Sequence, residues 1–75
     1  MSPDKLIYMA NQIATFFENH PHDKAVAGVA EHINNFWEPR MRAQLFEILK
    51  EDNSALSPLV IEAEPAIRRT AVAAE

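Results

Sequence analysis

The chain has 75 residues, no cysteine, one glycine, five prolines and a net charge of -4. That length holds one small domain, and folding hides only roughly 60% of the surface that the unfolded chain exposes. Without cysteine there is no disulfide scaffold, no thiolate nucleophile and no Cys-based zinc or iron–sulfur site. A lone Gly28 cannot build a phosphate-cradling loop, and an acidic balance disfavours nucleic acid as the main partner.

Helix signals run the length of the chain and strand signals are nearly absent. Ser2-Pro3-Asp4 opens the first helix with an N-cap, a proline at N1 and an acid in the first turn. Leu6, Met9, Ala10, Ile13, Ala14, Phe16 and Phe17 follow at i, i+3, i+4 spacing, which predicts a helix over 3–19. Asn19-His20-Pro21-His22-Asp23 ends it, with Asp23 expected to cap the next helix. That second helix is expected over 24–37, with Val26, Val29, Ala30, Ile33, Phe36 and Trp37 in an arc of about 120°. Its opposite face carries Ala27, Gly28, Glu31, Asn34 and Asn35.

Pro39 forces a break and suits N1 of a third helix over 39–50, whose apolar side is Met41, Leu45, Phe46, Ile48 and Leu49. A polar connector over 50–54 leads to Ser57-Pro58, which repeats the Ser2-Pro3 device and starts a short helix from Leu59 to Glu64. Pro65 interrupts or ends it. The expected fold is all-α: one small three- to four-helix domain over 1–69 with a short C-terminal helix, and a disordered tail over 70–75. No apolar run reaches membrane-spanning length, and the N-terminus lacks a signal peptide's basic start and apolar stretch, so a cytoplasmic location is expected.

Three places stand out as surfaces. With Ile7 included, the apolar residues of the first helix cover about 180°, wider than the stripe a surface helix needs. Ile7 and Phe17 lie toward one edge, Met9 and Phe16 toward the other. Either a partner covers those edges, or the helix is central and its neighbours do. Arg42 falls inside the apolar arc of the third helix. It lays its stem over apolar surface with its head in water, or its guanidinium meets a carboxylate or backbone carbonyls on a partner. Phe36-Trp37-Glu38-Pro39-Arg40-Met41 is the densest segment, read as an interface corner or as a corner that closes the core. Periodicity favours the core for Phe36 and leaves Trp37 nearer the edge of the stripe. The candidate partner-binding residues are therefore Ile7, Met9, Phe16, Phe17, Trp37, Pro39, Arg40 and Arg42.

Chemistry is sparse. His20, His22 and His32 show neither HExxH nor an i, i+4 pair, so no metal site is expected. Glu31, Glu47, Glu51, Asp52, Glu62 and Glu64 read as solvated faces, and Ser54 and Ser57 as connector and cap residues. No catalytic residue is expected. Arg40, Arg42, Arg68 and Arg69 would form a local basic patch if the C-terminus folded over the third helix.

The residues also carry a family resemblance. The blocks 4–17 (DKLIYMANQIATFF) and 27–42 (AGVAEHINNFWEPRMR), followed by Ser57-Pro58-Leu59-Val60 and Ala63, resemble the delta subunit of NAD-dependent, molybdenum-containing formate dehydrogenases. The resemblance covers about Asp4 to Arg69, in order. It implies a small, cofactor-free, non-catalytic accessory subunit, associated with the large alpha subunit and with assembly or stability of the complex. It further implies that alpha carries bis-molybdopterin guanine dinucleotide and iron–sulfur clusters, while beta and gamma carry FMN and further clusters and pass electrons to NAD. Two other roles stay open on the sequence: a transient maturation chaperone for cofactor insertion, and a self-associating helical interaction module.

Overall fold

A computed structural model describes residues 2–69; the tail expected over 70–75 lies outside the described residues. Four helices follow in order: α1 (Pro3–Phe17), α2 (His22–Phe36), α3 (Pro39–Glu51) and α4 (Pro58–Ala63), and a single 3-10 turn, Glu64–Ala66, closes the last. Among the described residues there is no strand. The all-α expectation holds.

The serine–proline starts work as the sequence implies. The Lys5 amide donates to Ser2 Oγ at 3.3 Å and the Leu59 amide to Ser57 Oγ at 3.3 Å, each with proline at N1. The start of α2 differs from expectation. Pro21, not Asp23, is the cap residue, and it makes no side-chain bond. The helix begins earlier, at His22, whose Nε2 lies 2.8 Å from Glu62 Oε1 on α4. Asp23 stays in the first turn, where its charge suits the positive end of the helix.

The core is built from one stripe of each helix: Leu6, Ala10 and Ala14; Val29, Ala30 and Ile33; Leu45, Phe46 and Leu49; Val60 and Ala63. Alanine at so many of these positions lets helix axes approach closely, while Leu6, Ile33, Leu45 and Val60 fill the centre. The first helix is central, packing on α2, α3 and α4. That accounts for much of its wide apolar arc. Ile7, Met9, Ile13 and Phe17 are half-buried against the core rather than left open.

Two asparagines hold irregular backbone onto the helices. Asn11 Nδ2 donates to the Ala55 carbonyl at 2.9 Å, and its Oδ1 accepts from the Ser57 amide at 2.8 Å. Asn34 repeats this on α2: its Nδ2 donates to the Ala66 carbonyl at 3.0 Å and its Oδ1 accepts from the Arg68 amide at 2.8 Å. An amide suits this task because it presents one donor and one acceptor side by side. Asn11→Asp keeps an acceptor for Ser57 but sets a carboxylate against the Ala55 carbonyl. We expect a loss of about 1–2 kcal/mol, from one hydrogen bond broken and one oxygen left facing another. A lower urea midpoint with unchanged slope is the measurement that checks it.

Candidate functional site

The corner that joins α2 to α3 is set by Pro39. Glu38, the residue before it, is extended (φ -64°, ψ 155°), and Trp37 leaves the helix with φ -93°, ψ 133°. Trp37 thereby turns inward and is only 5% exposed, while its amide still donates to the Ile33 carbonyl at 3.0 Å. Phe36 does the opposite. It is 72% exposed and stacks on His32, ring centroids 4.7 Å apart. The periodicity argument had these two aromatics in reversed roles. It missed that α4 and the C-terminal segment pack on the Ala30–Asn34 side of α2, which shifts the buried stripe away from Phe36. The signal that would have found it was Pro39, two residues after Trp37.

Arg42 is half-buried and spends its guanidinium within the chain. Its Nη1 donates to the Trp37 carbonyl at 2.8 Å and its Nε to the Arg68 carbonyl at 3.2 Å. It meets backbone carbonyls, as one reading of the sequence required, but those of its own corner and C-terminal segment. That segment does fold over α3: the Arg69 guanidinium lies 3.9 Å above the Phe46 ring and its Nη2 is 3.2 Å from Glu64 Oε2. The four arginines are thus partly absorbed by local contacts, while Pro39 and Arg40 remain exposed.

The two residues expected on one edge of the first helix part company. Phe17 turns to α2 and covers Gly28, where a Cβ built on the glycine would lie 2.5 Å from the Phe17 ring. Ile7 turns to α3 and lines a shallow cleft with Gln44 and Ile48. Phe16, on the other edge, is 73% exposed and sits edge-on to Phe17 at 5.0 Å, with His20 6.4 Å away. Tyr8 is the third exposed large apolar side chain, at 63%, and the sequence had not singled it out.

Polar chemistry stays local. Ser54 donates its hydroxyl at 2.7 Å and its amide at 3.1 Å to Asp52 Oδ1, and these two bonds hold the Asp52 carboxyl below its ordinary value. The pair shapes the connector after α3 as a tight Asx turn. Among the described residues, no group of three or more His, Cys, Asp or Glu side chains is placed to hold a metal ion. Among the described residues, no helix is long and apolar enough to cross a membrane.

The surface residues left over from these contacts include the exposed aromatics Tyr8, Phe16 and Phe36 together with Pro39 and Arg40. Against known families, the model of the NADH-dependent formate dehydrogenase delta subunit, FdsD, matches residues 5–63. The chain belongs to this family. The match takes in all of α2, α3 and α4 and nearly all of α1, so the delta-subunit sequence pattern and the helical core coincide. The segment pinned by Asn34 and Arg42, around Arg68, lies beyond it. No curated protein and no solved structure matches this delta subunit.

Proposed function

We propose that this delta subunit is a non-catalytic accessory subunit of a cytoplasmic NAD-dependent formate dehydrogenase. It docks on the large molybdenum-binding alpha subunit, within a complex that includes beta and gamma subunits, and supports assembly or stability of the enzyme. The family match over residues 5–63 carries the reading. Its sequence is consistent with it: with no cysteine, the chain has no thiolate to ligate the iron–sulfur clusters of a redox subunit. In this reading the chain binds no cofactor itself. Bis-molybdopterin guanine dinucleotide, the clusters, FMN and NAD belong to its partners.

Of the residues proposed to bind the partner, Phe16, Pro39 and Arg40 offer open surface in the free chain, and Ile7, Met9, Phe17 and Arg42 offer partial surface. Deleting the gene for this chain tests the role. The expected result is a formate dehydrogenase with less molybdenum cofactor, or a complex that falls apart on size-exclusion chromatography, and lower specific activity in either case. A deletion strain with a fully loaded, intact and active enzyme would remove the accessory role.

A further inference from the structure

The start of α1 and the end of α3 enclose a shallow cleft of about 340 Å³. Its apolar lining is Pro3, Ile7 and Ile48, the two isoleucines half-buried against the core. Its ionisable lining residues are Glu47, Glu51 and Asp52, all exposed and all acidic. Asp4, three positions before Ile7 and so its neighbour on α1, adds to the same sign. The cations closest in sequence lie elsewhere. Lys5 is two positions from both Pro3 and Ile7, on the far side of α1. Lys50 lines a separate cleft with Phe46 and Arg69. Arg40 stands seven residues before Glu47, roughly 10 Å away along the helix. Among the described residues the ion pairs are His22–Glu62 and Arg69–Glu64, and neither takes an acid of this cleft.

Helix α3 carries these charges against its own dipole. Its first turn holds Arg40 and Arg42 and its end holds Glu51 and Asp52, the reverse of what a helix favours. Arg42 is accounted for by the two carbonyls it binds. Glu51 and Asp52 gather like charge at a negative helix end, with Lys50 as the cation of the last turn. A local preference broken without a compensating contact in the chain points to function.

From this we infer that the α1–α3 cleft seats an apolar side chain flanked by lysines or arginines on the large subunit. This rests on the reading of the chain as a subunit that docks there. Charge selects the occupant, because basic residues opposite Glu47, Glu51 and Asp52 match the carboxylates and the helix end together. A nucleic acid would bring more negative charge, and a second copy presenting the same cleft would bring the same acids. A single metal ion is not matched, since no three carboxylates among the described residues are placed to hold one. The isoleucine floor adds an apolar seat between the charges, the arrangement of an interface core inside a polar rim. Both parts are set before contact: Ser54 holds Asp52 through its hydroxyl and its amide, and Ile7 and Ile48 pack on the core.

The test is co-purification of the full chain with tagged large subunit, with binding measured at low and high salt and stability followed by urea melts. Glu47→Gln with Glu51→Gln is expected to weaken binding about tenfold at low salt and by less at high salt. The same variant should unfold at a urea midpoint equal to or above that of the wild type, because it removes acids from the end of α3. Ile7→Ala should weaken binding to a similar extent at both salt concentrations; if it does not fold, the glutamine variant still decides. Wild-type co-elution with an unweakened or tighter-binding glutamine variant overturns the cleft and leaves the docking reading standing. A loss in that variant that salt does not reduce overturns the basic partner. A lowered urea midpoint would give the two acids a role in the fold itself and overturn the inference. Failure of the wild-type chain to co-elute overturns both the docking reading and this site. A dimeric mass for the isolated chain that reverts to monomer in the glutamine variant makes a second copy the occupant, and overturns the inference as well.

Discussion

Trp37→Ala is expected to lower the stability of the fold by about 3–5 kcal/mol. The side chain is 5% exposed at the junction of α2 and α3, and its removal leaves a cavity that helices cannot close without moving the corner. A chain of this size has a total stability of about 4–11 kcal/mol, at roughly 0.05–0.15 kcal/mol per residue. The loss is therefore a large share of the whole. Phe36→Ala, one residue earlier and 72% exposed, should change stability by no more than about 0.5 kcal/mol. Urea melts of the two variants, side by side, decide the matter. A larger loss for Phe36→Ala than for Trp37→Ala would restore the order that helical periodicity implies, and equal losses would show that the two aromatics share the core.

That contrast governs how the corner can be probed for partner binding. A Trp37→Ala chain that fails to bind its partner reports unfolding as readily as a lost contact. Arg40→Ala is the clean probe, because the side chain is exposed and α3 does not depend on it. The same logic separates Phe16 from Phe17. Phe16 can be truncated at little cost to the fold, whereas Phe17 covers Gly28 and holds α1 against α2.

Local signals in the sequence were sufficient for most of the architecture. Ser2-Pro3 and Ser57-Pro58 announce their helices because capping and the fixed proline φ act over three or four residues. Leu6–Ala10–Ala14 and Leu45–Phe46–Leu49 are legible for the same reason: the helical repeat decides which positions share a face. What escaped depends on residues far apart. The Asn11 and Asn34 clamps join positions 46 and 34 residues away, and nothing near either asparagine announces its role. Gly28 reads as a helix-weakening residue on a polar face until Phe17 is placed on it. For the candidate surface, the excess apolar width of the first helix was visible, but not which side of it the other helices would take. The family pattern, in contrast, lies in short contiguous blocks and needed no tertiary information.

Arg42→Met should cost about 2 kcal/mol, because it keeps the apolar stem and removes only the head. The Trp37 carbonyl it holds at 2.8 Å stands at the C-terminal end of α2, where the helix dipole is negative and a cation is favoured. The second bond, at 3.2 Å to the Arg68 carbonyl, ties that helix end to the segment Asn34 also grips. Bonds from a charged donor contribute about 1.5–3 kcal/mol, and the one to the Trp37 carbonyl is part-buried whereas the one to the Arg68 carbonyl is exposed. Arg42→Lys should recover less than half of the loss, since an ammonium lacks the planar fork that spans both oxygens. Full recovery with lysine would mean that charge at the helix end acts alone. Asn34→Ala supplies the decisive cross-check. Both side chains hold the stretch around Arg68, so once one has released it the other has less to lose. The double variant should therefore cost less than the sum of the singles by at least about 0.5 kcal/mol, and strict additivity would mean that the two grips are independent.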